Sequence, residues 1–455
     1  MTLDELAVLA GEPLSELRRW HQLGLLHPER DPIGANEFAR VRLIRFALNR
    51  GYTVENLAEI TSVHGDIIGH FADRVAASTG APVCSLKEAA ANIGLENAVF
   101  EHLQNAAGLR NQGHAYHEDV EAIRFMKTAL DAGLEPDVLA QMLRVLATGT
   151  ERMADGVSRL FHLYVHEQLR AGGATGTELL EETKVISERI LGLVAPAVLY
   201  FHNKGWERAW AEDMVLHLAE AATAPSEVPG ELTRAFLFID LSSFTPMTEA
   251  MGDIAAAQVV ERFAELVRDG AARCSGQIVK QIGDEFMLVF PDGRCAAMCA
   301  LVIQETAAVE PRFPALRMGA HVGSVLYREG DYVGTAVNTA ARVAAAATRH
   351  QFLVTDAVYR QLGDLDVEVS PLGSRPLKGL NDGVQLFELR HRGAKPSRLI
   401  DPVCGMELDE ESAEAQLIWE GRRQLFCSER CLRRFLGDPH RYRVGISSGD
   451  SHPGS

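Results

Sequence analysis

QIVKQIGDEFMLVF, Gln277–Phe290, is the stretch on which the reading turns. Ile278, Val279 and Ile282 precede a Gly283-Asp284 turn, and Phe286–Phe290 follow it, so two paired strands are expected. Two adjacent acids, Asp284 and Glu285, and Lys280 interrupt this apolar run. A buried charge costs several kcal/mol unless something pairs with it. Either the turn points into water or the acids meet a cation that the sequence does not contain.

A second acid supports the cation. Asp240 ends the apolar run FLFID and is followed by LSSFT. Two carboxylates at strand ends of one sheet can hold divalent ions, completed by backbone carbonyls and phosphate oxygens. The LSSFT turn, Leu241–Thr245, leads into a helix, and N–H groups at such a turn can cradle phosphates. The pair therefore suits two-metal phosphoryl or nucleotidyl transfer.

From 232 to 392 strand and helix patterns alternate, which predicts an α/β fold of the two-layer kind. FIDLSSFT, VKQIGDEFMLVF, GDYVGTAVNTAAR and PLKGL stand in order along this block. Together they resemble the catalytic domain of class III nucleotidyl cyclases, a ferredoxin-like two-layer fold. The resemblance implies two Mg²⁺ or Mn²⁺ ions per site on Asp240, Asp284 and the Leu241 backbone, with Phe244 and Thr245 against the substrate. It implies that Lys280 and Asp331 read the purine. A Lys donor and an Asp acceptor fit adenine, whereas guanylate-specific members typically carry Glu and Cys. Asn338 and Arg342, four apart on one helix face, match the residues that orient ribose and stabilise the transition state. Lys378 matches the triphosphate lysine. Family members form head-to-tail dimers with interface sites, so a homodimer taking ATP to 3′,5′-cyclic AMP and pyrophosphate is expected.

The first half reads as helical throughout. LRRWHQLGLLHPER and FARVRLIRFALNRGYTVENLAEI resemble a winged helix-turn-helix of the mercury-resistance-regulator (MerR) type over residues 1–80. The family usually carries Arg and Tyr in its wing, where this chain has GANEF. Residues 1–80 hold 8 Arg, no Lys and 11 acids, a weak basic footprint for reading DNA. A regulatory or protein-contact module is favoured, with DNA the alternative partner. SLKEAAANIG echoes TLDELAVLAG, suggesting an internal repeat. Residues 81–221 resemble the helical regulatory domain of actinobacterial cyclases that respond to acid pH. Its histidines include His114, His117, His162 and His166, a side-chain type that can change charge near neutrality.

DPVCGMEL and FCSERCLRRFLGDPHRY, within 398–445, resemble the YHS domain of metal-handling proteins. Cys427 and Cys431, i and i+4 at a helix start, can face one ion with Cys404. Three thiolates suit Zn²⁺ or another soft metal, with His440 as a guessed fourth ligand. The remaining tail, GISSGDSHPGS, is expected to be disordered.

Composition limits the alternatives. The chain has 455 residues, 47% hydrophobic and 24% charged, with a net charge of −17. The length suggests about three domains, and the charge argues against a large nucleic-acid surface. No run approaches the roughly 20 apolar residues of a membrane helix, and MTLDELAVLA lacks the positive start of a signal peptide. A cytoplasmic adenylate cyclase without a membrane partner is the first expectation. The second is a DNA-binding regulator whose cyclase-like domain only senses nucleotide.

Overall fold

The computed structural model describes residues 2–27, 35–79, 82–109, 113–220, 230–310, 312–379, 383–392, 399–408 and 410–442. They fall into two compact units, Met1–Pro225 and Ser226–Ser455. The expected wing residues up to Gly34, the link at 221–229 and the C-terminal tail lie outside the described residues.

The first unit is helical and built on a repeat. Thr2 caps Leu3–Ala10 by accepting from the Glu5 N–H, and Gly11 closes the helix at φ 66°. Ser85 caps Leu86–Ile93 in the same way, and Gly94 closes it at φ 80°. Leu14–Gln22, Ala35–Leu48 and Val54–His64 follow the first copy, and Asn97–Ala106, His117–Asp131 and Pro136–Phe161 follow the second. Ala35–Phe38, the end of GANEF, form a helix start and not a wing; Phe38 is buried with Leu6, Leu17, Trp20 and Ile44. Tyr116 of the second copy joins this core and accepts from Arg42 at 2.8 Å.

After a π-helical turn at His162–His166, one helix runs from Gly176 to Glu220. Its span Gly176–Val215 is long and apolar enough to cross a membrane, with an 18-residue window of mean hydropathy 1.3 that is 6% buried. Its uninterrupted apolar run, ILGLVAPAVLYF, is shorter than the roughly 20 residues of a membrane span and is bounded by Glu188 and Arg189 before it and Lys204 after it. Tyr200, Phe201, Trp206 and Trp210 stand exposed along it.

The second unit begins with β1 (Glu231–Leu241), α1 (Phe244–Met251), α2 (Asp253–Arg273), β2 (Gln277–Ile282), β3 (Glu285–Phe290), α3 (Gly293–Val309), β4 (Leu316–Arg328), β5 (Asp331–Val333), α4 (Thr335–Ala346), β6 (Phe352–Thr355), α5 (Asp356–Tyr359), β7 (Val367–Arg375) and β8 (Val384–His391). The strand order is β2-β3-β1-β4-β6-β8-β7, with β5 paired to β4. β4 and β6 pair in parallel, while the other pairings are antiparallel. Side chains alternate along β1. Leu237, Ile239 and Leu241 share a core with Phe263 and Val267 of α2 and Ala296, Cys299 and Ile303 of α3. Phe236 and Phe238 face the other way, against Ala336, Ala340 and Ala344 of α4. Gly319 permits that crossing, because a Cβ there would lie 2.0 Å from the Ala344 nitrogen.

The C-terminal segment adds β9 (Leu399–Ile400), β10 (Glu407–Leu408), the hairpin β11 (Ala415–Trp419) and β12 (Arg422–Phe426), and α6 (Glu429–Gly437). It shares a core with α1: Met247 and Ala250 pack with Val403, Met406, Phe426 and Phe435.

Candidate active site and thiol cluster

Asp240 stands at the end of β1, 7% exposed. Asp284 occupies the β2–β3 turn behind Gly283, whose φ of 64° suits glycine. Burial, then the neighbouring Asp240 carboxylate, pushes Asp284 up to about 7. The same two causes raise Glu285. Acids crowded in this way favour a cation or a proton between them. Oxygen donors of this kind suit a hard divalent ion such as Mg²⁺ or Mn²⁺.

Arg317 partly answers that charge. It pairs with Asp240 in the β1–β4 register, and its Nε donates to Asp240 Oδ2 at 2.6 Å. Sequence reading missed Arg317, since only the strand register places it opposite Asp240.

The turn after β1 enters α1 without a side-chain cap. Ser243, at φ 70°, makes no capping bond to α1; its Oγ accepts from Arg349 at 3.0 Å instead. Pro246 offers no N–H, so the Phe244 and Thr245 amides are the donors of the first turn.

The remaining predicted residues form a second group. Lys280 on β2 and Asp331 on β5 are paired at 2.5 Å, each half exposed. Asn338 is exposed on α4. Arg342, one turn on, lies beside the Leu377–Gly379 turn; a Cβ on Gly379 would sit 3.0 Å from its Nη1. Lys378 is exposed in that turn. Among the described residues, no hydrogen bond or ion pair joins Asp240 or Asp284 to Lys280, Asp331, Asn338, Arg342 or Lys378.

In the C-terminal segment, Cys404, Cys427, Cys431 and Asp401 are buried, with ligand atoms all within 4.8 Å of one another. The Cys404–Cys427 and Cys427–Cys431 sulfurs lie 3.5 and 3.6 Å apart. Tetrahedral Zn²⁺ with bonds of about 2.3 Å would place them about 3.8 Å apart. Asp401, and not the guessed His440, is the fourth group. His440 instead packs edge-on near Trp419, with ring centroids 6.5 Å apart. Asp401 also organises the turn, accepting from the Val403 and Cys427 amides at 2.8 Å each. Burial pushes it up to about 6.

Four families match the chain. Residues 1–63 match the MerR HTH family regulatory protein, 33–201 the adenylate cyclase regulatory domain, 233–391 the adenylate and guanylate cyclase catalytic domain, and 399–444 the YHS domain. An adenylate cyclase of Streptomyces coelicolor is 30% identical over 279 residues, 60% of this chain and 70% of that protein. The chain belongs to the class III adenylate cyclase family. A pH-sensitive adenylate cyclase of Mycobacterium tuberculosis is 28% identical over 372 residues, 79% of this chain and 90% of the relative. Among solved structures, the adenylyl cyclase CyaB of P. aeruginosa is 18% identical, with a TM-score of 0.33, over 36% of this chain and 97% of that one. This cyclase thus carries the family's regulatory and catalytic segments, flanked by MerR-like and YHS segments.

Proposed function

We propose that the chain converts ATP to 3′,5′-cyclic AMP and pyrophosphate at sites completed by a second copy of itself. The observation that carries this reading is the division of the site residues. The acidic group at Asp240 and Asp284 stands without bonds to the Lys280, Asp331, Asn338, Arg342 and Lys378 group, as two halves meant for different interfaces would.

Asp240, Asp284 and the Leu241 backbone would hold two divalent ions. Bound there, the ions would supply Lewis acidity that lowers the pKa of the ribose 3′-hydroxyl and offsets phosphate charge. Phe244 and Thr245 N–H groups cradle phosphate oxygens at the α1 N-terminus. Lys280 and Asp331 present donor and acceptor to adenine. Arg342 offsets charge gathering on the α-phosphate, Lys378 offsets it on the leaving pyrophosphate, and Asn338 orients the ribose.

The proposed organisation is a winged helix-turn-helix at 1–80, a helical regulatory domain at 81–221, the catalytic domain at 232–392 and the YHS domain at 398–445. The N-terminal half is assigned to regulating catalysis, in the cytoplasm. A DNA-reading role has less support, because three of the eight arginines in 1–80 are paired with acids of the same segment. Arg40 pairs with Asp66, Arg45 with Glu12 and Arg19 with Glu55.

The test is purified full-length protein with ATP or GTP and Mg²⁺ or Mn²⁺, followed by product identification. Cyclic AMP formed in preference to cyclic GMP is the expected result. Absence of any cyclic nucleotide would reject the assignment.

A further inference from the structure

The C-terminal segment is joined to the catalytic turn by more than apolar packing. Arg349, between α4 and β6, reaches both. Its Nη1 donates to Ser243 Oγ at 3.0 Å, and its Nη2 donates to the Gly405 carbonyl at 2.7 Å. Gly405 follows Cys404 directly, and its φ of 76° and close approach to Ser243 require glycine. A Cβ there would sit 2.7 Å from Ser243 Cβ. Around this contact, His350 pairs with Glu407, the Glu407 amide donates to Phe313 O at 3.3 Å, and Arg430 donates to Met251 O at 3.2 Å. Arg349 Nε is buried without a partner among the described residues. Its charge is met by Glu407, whose Oε1 lies 3.6 Å from Nη2.

We propose that Cys404, Cys427, Cys431 and Asp401 form an allosteric site for a soft or borderline transition ion, and that Arg349 carries its occupancy to the phosphate-cradling turn at Ser243. The ion fixes the three sulfurs, and their thiol protons pass to solvent on binding. Cys404 so fixed sets the Gly405 carbonyl, which sets Arg349, which holds Ser243 in a left-handed conformation that non-glycine residues rarely adopt. Ser243 in turn sets where the Phe244 and Thr245 amides point. Loss of the ion releases this chain of contacts and lowers catalysis. Arg349 is therefore a positioning residue, acting through Ser243. The direction of the activity change rests on the cyclase reading; the structural coupling does not.

The test uses full-length reduced protein, with Zn²⁺ alone and Cu⁺ alone as separate arms. Bound ion is measured by atomic spectroscopy, hydrogen exchange is followed in peptides covering 240–251, and cyclase rate is measured at fixed Mn²⁺. Wild type should retain a single ion per chain, and Cys427→Ser or Cys431→Ser should lose it. Removing the ion should speed exchange across 240–251 and slow turnover, each by about tenfold, the worth of one charged hydrogen bond. Arg349→Ala should keep the ion yet lose both responses, and Arg349→Lys should restore them in part. A purely structural arginine would not separate binding from response in this way. Failure of wild type to retain either ion, or retention with unchanged exchange at 240–251, would overturn the proposal; neither result needs a variant. A chain that binds the ion and shows the exchange response but forms no cyclic nucleotide would reject the cyclase reading and leave the coupling standing.

Discussion

Arg317 lies across the β1–β4 register from Asp240 and donates to its carboxylate from Nε at 2.6 Å. The arginine is a resident counter-ion at the place where the site needs an incoming cation. An incoming divalent ion would compete with Arg317 for the Asp240 oxygens, so metal binding should loosen this pair.

Arg317→Ala should consequently destabilise the metal-free protein more than the metal-bound one. Removing one partner of a half-buried ion pair leaves Asp240 uncompensated, a loss of about 1–3 kcal/mol. Thermal unfolding with and without Mn²⁺ measures it. An equal loss in both conditions would mean that Arg317 does not substitute for the cation.

The acid dependence of metal binding follows from Asp284. Its folded pKa is raised to about 7, above the ordinary carboxylate value. The protonated form is thus favoured in the metal-free fold, and that fold loses stability as pH rises from about 4 to 7. Asp284→Asn should flatten this slope in the absence of metal. In the wild type, Mn²⁺ must displace the proton, so its affinity should weaken as pH falls below about 7. Titration calorimetry at several pH values would show this, and a pH-independent affinity would contradict it.

Base selection should depend on the Lys280–Asp331 pair. ATP should exceed GTP in kcat/KM, and Asp331→Ala should remove about 1–3 kcal/mol of that discrimination by leaving Lys280 without its acceptor partner. Comparable kcat/KM for the two nucleotides in the wild type would reject this role.

Regulation should show at the stacked His162–His166 pair, whose ring centroids are 5.0 Å apart in the π-helical turn. Burial, then His162, holds the His166 imidazole below its ordinary value. A charge on His166 would part the stack. Replacing both with Asn should flatten the pH–activity profile between about 5.5 and 7.5 by several-fold; an unchanged profile would remove these histidines from the signal.

Much of this was legible from local pattern. Asp240 and Asp284 stood out because acids at the ends of apolar strand runs are costly without a cation. The two Gly-terminated helices at 3–10 and 86–93 betrayed the repeat through caps that one-dimensional spacing encodes. Arg317 was not legible, because its role depends on which strand lies beside β1 and in which register. Asp401 was read past for a related reason: a turn folds it back onto cysteines 26 and 30 residues later in the chain, while the chemically more obvious His440 faces Trp419. The long helix at 176–220 was legible as a helix, and its apolar stretch at 190–201 is bounded by Glu188 and Arg189 before it and Lys204 after it.

The mixing of two inactive chains tests the central claim most directly. Asp240→Ala lacks one half of the proposed site and Arg342→Ala the other, so each alone should be inactive with ATP and Mn²⁺. Equal amounts mixed and allowed to exchange subunits should recover about a quarter of wild-type cyclic AMP formation, since half of the dimers are mixed and each of those keeps one intact site of two. No recovery in a sample shown to contain mixed dimers would contradict the shared-site account.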